Sequence, residues 1–279
     1  MFMTPAELDQ YLDDGFLLLP ELFSKAEVDR LRHGIPGLLG ENSPRRVLES
    51  NGKVVRSVYG SHLTHPVFRD LTRDPRLLHP VERIIGDKVY VHQFKINAKV
   101  AIEGDVWAWH QDYVFWLRED GIREADLATA VVFIDEVNEF NGPLLLLPGS
   151  HKEGVVESVR NEAPPSGYEG APGWIGNLTA QLKYQLDKST VLRMAEKRGI
   201  AAPKGAPGSV LFFHPNIFHA SPPNLSPFDR VLILITYNSV RNAPARCTRP
   251  EFLCGRDFRP LESAQPANVR IEAIRRGMK

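Results

Sequence analysis

The sequence predicts an α+β fold: an antiparallel sandwich or jelly roll with helices packed on one side. Two observations carry this. Helix-start signals crowd the first third of the chain, and from Val89 onward strand-like runs follow one another without regular intervening helices. That succession argues against a doubly wound parallel sheet. With 279 residues and 43% hydrophobic composition, the chain has material for a sizeable core and reads as one domain, 1–279. Within it, residues 1–88 read as a helical N-terminal region and residues 89–240 as a β core carrying an insert, 152–205.

Thr4-Pro5-Ala6-Glu7 is a capping box with proline at the first helical position, and Ser24-Lys25-Ala26-Glu27 is a second box. Val28, Leu31 and Ile35 then recur at helical spacing. Asp74-Pro75 starts a further helix, with Leu77, Leu78, Val81, Ile84 and Ile85 as its apolar stripe and Gly86 as its stop. Val89 to Val100 alternates like a half-buried strand. Thr129–Val137, Pro143–Leu147, Gly208–Phe213 and Arg230–Asn238 are short β-branched, leucine-rich or aromatic runs bounded by turn formers. The insert holds Pro164-Pro165-Ser166-Gly167, Tyr168, Trp174 and a helix near Thr190–Lys197. Insertions of this length serve as lids or run as solvated excursions.

Formal net charge is zero, which gives no reason to expect nucleic acid or a membrane surface as partner. The run Phe16–Leu19 is too short for a secretory core and lies behind acidic residues, and no apolar stretch reaches membrane-spanning length. A reduced, cytoplasmic protein is the expectation. The two cysteines, Cys247 and Cys254, then read as thiols, with a disulfide or half a metal site as the alternatives.

The most informative stretch is Trp107-Ala108-Trp109-His110-Gln111-Asp112-Tyr113. On a strand, residues two apart share a face, so His110 and Asp112 would converge. His219 is the best third ligand; His214 is a rival, and His151 a weaker one. Two neutral imidazoles and one carboxylate leave three adjacent positions open, which suits Fe(II) with a bidentate 2-oxoacid and O2. No Cys cluster favours structural zinc. Eleven residues beyond His219, Arg230 opens an apolar strand, where its guanidinium can fork onto the distal carboxylate of 2-oxoglutarate or stand as a plain rim charge. Ser221 can add a hydroxyl. Gln93, Lys95 and Asn97 share a strand face, either a polar stripe pointing into the barrel or the outer side of an edge strand.

These residues resemble a known family. Val54–Gly60, Val89–Lys99, Trp109-His110-Gln111-Asp112-Tyr113 through Glu119-Asp120-Gly121, Asn141–Leu144, Pro148–His151 and Leu234–Asn238 are similar to the phytanoyl-CoA dioxygenase-type superfamily of iron/2-oxoglutarate oxygenases. Within it they look most like bacterial amino-acid hydroxylases, above all the free L-proline trans-4-hydroxylase group, with ectoine hydroxylases more distant. The resemblance implies a double-stranded β-helix (cupin-like). It implies Fe(II) on His110, Asp112 and His219, with 2-oxoglutarate as co-substrate on Arg230, Ser221, Gln93 and Asn97, O2 as oxidant and ascorbate as activator. Related halogenases lack the carboxylate ligand, so Asp112 favours hydroxylation.

A small amino-acid substrate needs a cation, an acceptor and an apolar wall. Tyr113, Trp116, Arg118, Tyr59 and Trp174 are the candidates, with Glu119 or Asp120 as acceptor; Arg118-Glu119-Asp120 also reads as a solvated charge run. Trp107 and Trp109 read as core. L-Proline or a close analogue is the expected substrate. Ectoine, another amino acid or a natural-product intermediate is the alternative, and a non-catalytic metal-binding jelly roll or a zinc hydrolase is more remote.

Overall fold

Helices open where the sequence caps them. The computed structural model describes residues 3–165 and 167–264; Ser166 of the insert's Pro164–Gly167 run and residues 265–279 lie outside it. In α1 (Pro5–Asp14), the Thr4 hydroxyl accepts from Glu7 N and Glu7 returns the bond to Thr4 N at 2.6 Å. Strand β1 (Phe16–Leu19) follows, and α2 (Lys25–His33) carries the second reciprocal box, Ser24 with Glu27. Gly34 then breaks the helix, so Ile35 opens α3 (Ile35–Gly40) instead of continuing the stripe of α2. β2 (Arg46–Leu48), β3 (Val55–Tyr59) and α4 (Pro66–Leu71) lead to α5 (Pro75–Ile85), capped by Asp74 and stopped by Gly86 in the left-handed region, φ 72°.

β4 (Val89–Lys99) begins the core. After it come β5 (Trp107–His110), α6 (Asp112–Phe115), a π-helical turn at Trp116–Asp120, β6 (Leu127–Phe133), β7 (Leu145–Leu146), β8 (Val159–Arg160), β9 (Tyr184–Gln185), α7 (Lys188–Arg198), β10 (Val210–Phe213), β11 (His219–Ser221) and β12 (Arg230–Ser239). The large sheet runs β1-β10-β6-β12-β4-β3-β2 and the small one β5-β11-β7, every pairing antiparallel. From β4 to β7, and again from β10 to β12, successive strands alternate between the two sheets. That is the winding of a double-stranded β-helix.

The large sheet is buried on both sides. Val89, Val91, Phe94, Ile96, Ala130, Val132, Val210, Phe212, Ile233, Ile235 and Tyr237 face the helical layer and pack with Tyr11, Val28, Leu31, Leu77, Leu78 and Val81. Each such side chain contributes roughly 1.5–3 kcal/mol by leaving water. Phe133, Val131, Leu211, Phe213, Leu232 and Leu234 face the small sheet. β4 is therefore not the half-buried strand its alternation suggests: only Gln93 and Lys95 keep appreciable exposure. Helices cover one face and the second sheet covers the other.

The N-terminal region is helical, and it also donates three strands. β1 extends one edge of the large sheet on β10, and β2 and β3 extend the other on β4. The insert is no solvated excursion. Leu182 and Tyr184 join the core around Trp107 and Phe115, Leu186 and Met194 pack on Leu147 and Phe218, and Leu186 N donates to Trp109 O at 2.8 Å. Both cysteines are free thiols, their sulfurs 3.0 Å apart.

Candidate metal centre

His110 ends β5 and His219 begins β11, directly opposite each other across an antiparallel ladder. Their ring centroids are 4.1 Å apart. Asp112 completes the cluster: Oδ1 is 3.5 Å from His110 Nε2 and Oδ2 3.8 Å from His219 Nε2. One donor atom from each of the three lies within 4.8 Å of the others. The convergence does not come from strand periodicity, as the sequence suggested. β5 stops at His110, Gln111 caps a helical turn, and Asp112 opens that turn, so a strand-to-helix corner turns the carboxylate back onto the imidazoles.

Gln111 holds the corner. Its Nε2 donates to Gly154 O at 2.7 Å and Asn216 O at 2.9 Å, and its Oε1 accepts from Val156 N at 3.1 Å. It thereby ties the ligand corner to the insert and to the loop before His219. Both rings are also fixed. His110 Nδ1 faces Ala108 O at 2.6 Å and His219 Nδ1 faces Ile217 O at 3.0 Å. A carbonyl only accepts, so each Nδ1 carries the proton and each Nε2 presents a lone pair to the cluster. Burial, then His110, pushes the His219 imidazole down to about 4. Burial works to raise the Asp112 carboxyl, yet His219, His110 and Lys95 hold it well below the usual carboxylate range. The result is two neutral nitrogens and one anionic oxygen at a common point, a donor set that fits a divalent iron ion.

The rival histidines are engaged elsewhere. His151 and His214 face each other at 5.0 Å; His214 Nδ1 accepts from Asn216 N and His151 Nε2 faces Leu12 O. A second group of donors, His92, Asp120 and Cys254, is buried in the core. Arg249 already forks both Asp120 oxygens, with Nε 2.6 Å from Oδ1 and Nη2 2.5 Å from Oδ2, which leaves no need for a cation there.

Arg230 is 1% exposed and points inward from the large sheet. Its Nη1 donates to Asn97 Oδ1 at 3.2 Å, Nη2 to Gly142 O at 2.9 Å and Nε to Asn141 O at 3.3 Å. Every partner is neutral, and among the described residues no carboxylate is ion-paired to it. Burial accordingly drags its pKa down to about 9. A buried guanidinium without an anion is costly to hold; a small carboxylate ligand would relieve it. Ser221 Oγ donates to the same Gly142 carbonyl at 2.8 Å. Gly142 has φ +73°, and a Cβ there would meet Pro222 O at 2.6 Å, so only glycine brings this carbonyl to both groups. Gln93 Nε2 donates to Leu253 O at 2.9 Å, which ties the C-terminal segment to the inner face of β4.

The substrate candidates divide. Tyr113 is a packing residue, its hydroxyl donating to Ile122 O at 3.3 Å within an aromatic core. Trp116 belongs to the same core and meets His92 edge-on at 5.5 Å. Arg118 lies on the surface over the Tyr184 ring, 4.9 Å from its centroid. Of the expected acceptors, Glu119 accepts from Tyr184 at 2.9 Å and Asp120 is taken by Arg249. The helical turn after Asp112 rotates these side chains into the core or outward, where an extended strand would have kept alternate ones facing the metal. Tyr59 is fully buried on β3 opposite Lys95, and Trp174 packs in its cluster with Ile175, Leu178, Leu253 and Phe252. Trp107, read as core, carries two cations on its ring: Arg56 at 3.7 Å and Lys95 at 4.7 Å.

Several functional positions escaped sequence reasoning. Gln111 sat in plain view between two ligands. Lys99 donates to Ser221 O and Pro222 O, and burial takes its ammonium down to about 6. Arg56 is fully buried on Glu49 at 2.8 Å and braces the entry to β5 through Val106 O. The inward period of β4 continues through Lys99 and was the available signal for that lysine; Arg56 and Glu49 had none.

The geometry has counterparts. The profile of the family described as phytanoyl-CoA dioxygenase (PhyH) matches residues 11–232. L-proline trans-4-hydroxylase of Streptomyces griseoviridis is 40% identical over 252 residues, 90% of this chain and 92% of that protein. Ectoine dioxygenase of Bordetella bronchiseptica is 34% identical over 274 residues, 94% of this chain and 86% of that one. Among solved structures, EctD from S. alaskensis with bound Fe superposes with a TM-score of 0.78 at 27% identity, covering 94% of this chain and 88% of that chain. The same protein with 2-oxoglutarate and 5-hydroxyectoine gives a TM-score of 0.77 at 27% identity, covering 94% and 87%.

Proposed function

We propose a function that starts from family membership: this chain belongs to the phytanoyl-CoA dioxygenase family. It is an iron- and 2-oxoglutarate-dependent dioxygenase. Our reading is that it hydroxylates an unactivated C–H bond of a small free amino acid, L-proline at the trans-4 position or a close analogue. One observation carries the reading: two imidazoles and one carboxylate meet at a point, and a buried guanidinium with no carboxylate ion-paired to it among the described residues shares the Gly142 carbonyl with Ser221, two residues beyond His219.

In this reading His110, Asp112 and His219 hold the iron, and Arg230 receives the distal carboxylate of 2-oxoglutarate. Iron held there would supply O2 activation, with one oxygen atom passing to succinate as 2-oxoglutarate loses CO2 and the other to the substrate. The chain's own residues do the positioning. Ala108 O and Ile217 O keep both Nε2 lone pairs available, and Gln111 keeps Asp112 from swinging away. Arg230 is pre-oriented by Asn97, Asn141 and Gly142, so a carboxylate arriving there orders no new side chain. Orientation of the reacting C–H bond decides which carbon is oxidised. Tyr59, buried beside Lys95, and Trp174 from the insert support it as members of the substrate wall.

The 40% identity to a proline hydroxylase over nearly the whole chain favours proline. The ectoine dioxygenases share the machinery at lower identity, so ectoine is the second substrate to test. We also propose ascorbate as activator, a small molecule as the sole partner of the reaction, no nucleic-acid or membrane partner, and the cytoplasm as the working compartment. Among the described residues no helix is long and apolar enough to cross a membrane. The test is succinate formation by the Fe(II)-loaded enzyme with ascorbate across free amino acids and ectoine, with the product's stereochemistry read by chromatography. Proline-stimulated succinate with matching hydroxyproline is the expected outcome. Stimulation by ectoine alone, or by no amino acid, would overturn the substrate assignment.

A further inference from the structure

Three cations face the chamber from one sheet, and none has a carboxylate partner among the described residues. Arg230 on β12 stands opposite Lys99 on β4, and Lys95 lies further along the same inward row, opposite Leu234. Arg230 and Lys99 are satisfied by amide and backbone oxygens. Lys95 differs. Among the described residues its amine has no hydrogen bond or ion pair, and it lies over the ring of Trp107, 4.7 Å from the centroid. It keeps partial exposure in a strand that is otherwise almost wholly buried. The Trp107 ring beneath it lies 6.5 Å from the His110 ring, which places Lys95 on the side of the metal cluster. Asp112 cannot serve it fully, because that carboxylate is directed at the two imidazoles.

We propose that Lys95 Nζ is a second carboxylate receptor, distinct from Arg230 and placed next to the metal ligands. The inference rests on the proposed function, in which two acids enter one chamber. 2-Oxoglutarate brings two carboxylates and an amino acid a third, while Arg230 accounts for one. A lysine with an aromatic ring on its flank and, among the described residues, no carboxylate ion-paired to it has the chemistry to bind one of the others. On the strand, Lys95 lies two residues from Asn97, which orients Arg230, and two from Gln93 on the other side. Along β4 it stands four residues from Lys99, which faces Arg230, a backbone displacement of roughly 13 Å, too far for one carboxylate group to bridge both cations. The carboxylate at Lys95 is either the one nearer the keto group of 2-oxoglutarate or that of the amino acid.

Binding separates the two sources. Calorimetry on the anaerobic, Fe(II)-loaded enzyme would titrate 2-oxoglutarate first and then L-proline into the 2-oxoglutarate complex, for the parent, Lys95→Met and Lys95→Arg. Lys95→Met is expected to weaken one of the two ligands by roughly 10- to 100-fold and leave the other within about twofold, with iron content and melting temperature unchanged. Lys95→Arg is expected to restore most of the loss. Loss of 2-oxoglutarate affinity assigns the keto-side carboxylate, and loss of proline affinity assigns the substrate. If the parent binds no proline, the succinate assay supplies the amino acid to use; should none be active, the proposed substrate class fails and the 2-oxoglutarate arm alone decides Lys95. Unchanged affinities in a folded Lys95→Met protein, or equal weakening accompanied by lost iron, would overturn the proposal.

Discussion

The two sheets of this jelly roll are built to opposite specifications. In the large sheet, β4 has eleven residues and β12 ten, paired from Arg230 opposite Lys99 to Ser239 opposite Val89. In the small sheet the strands have four, three and two residues, with a register shift between His219 and Ser221. The long sheet carries the stability, since apolar side chains cover both of its faces. The short one carries the metal ligands, at strand ends where the backbone is free to turn a corner. Under the proposed function the cations that would receive carboxylates stand on the long sheet, and the donors that would hold the metal stand on the short one or its corner.

Removing a metal ligand tests this division most severely. His219→Ala is expected to abolish coupled succinate formation and iron retention, a loss beyond the roughly 100-fold that outer partners of ligands cost. Its metal-free melting temperature is expected to stay near the parent's, because the short sheet contributes little to stability. A fall of many degrees in that melting temperature would contradict the division. Ile233→Ala, at the centre of the helix-facing core, should do the reverse. A destabilisation of about 2–5 kcal/mol in denaturant titration is expected, with KM for 2-oxoglutarate unchanged. Arg230→Lys keeps the charge and removes the fork. A rise of roughly 10- to 100-fold in KM for 2-oxoglutarate, with stability retained, is the expected kinetic result.

Acid should reach the short-sheet side first. Burial lowers His214 to about 3 and His219 to about 4, both below the ordinary imidazole value. The unfolded chain therefore takes up protons before the folded one. Stability is complete above pH 6.5 and falls as pH drops toward 4, at up to about 1.4 kcal/mol per group per pH unit. His214 and His219 flank β11, so amide exchange in the metal-free protein should accelerate there before it does in β12. Simultaneous loss of protection in both strands would erase the distinction.

Local chemistry was legible wherever it was self-contained. The capping boxes at Thr4 and Ser24, the cap at Asp74 and the glycine stop at Gly86 needed nothing beyond their own turns, and each stands as read. The His-x-Asp pair, His219 and Arg230 were marked by residue type and by the strands beside them. β1, β2 and β3 escaped because strands of three to five residues take their identity from the edge they join. Arg118 drew a functional reading because a cation near a metal motif suggests a carboxylate. Its π-helical turn points it outward, and sequence spacing carries no trace of that turn. Lys95 was named as one of a polar stripe; that no carboxylate among the described residues is ion-paired to it is a property of its three-dimensional surroundings.

From residue order alone came the α+β jelly roll, the three donor residues and Arg230 as a candidate, because periodicity, caps and ligand types are properties of neighbouring residues. Folding alone settled that a strand-to-helix corner aims Asp112, that Tyr113 and Trp116 pack into an aromatic core, and that Arg118 lies on the surface. Those outcomes depend on contacts between segments as distant as Gln111 and Asn216. Local sequence leaves such contacts open, since many pairings satisfy the same pattern and only mutual packing selects among them.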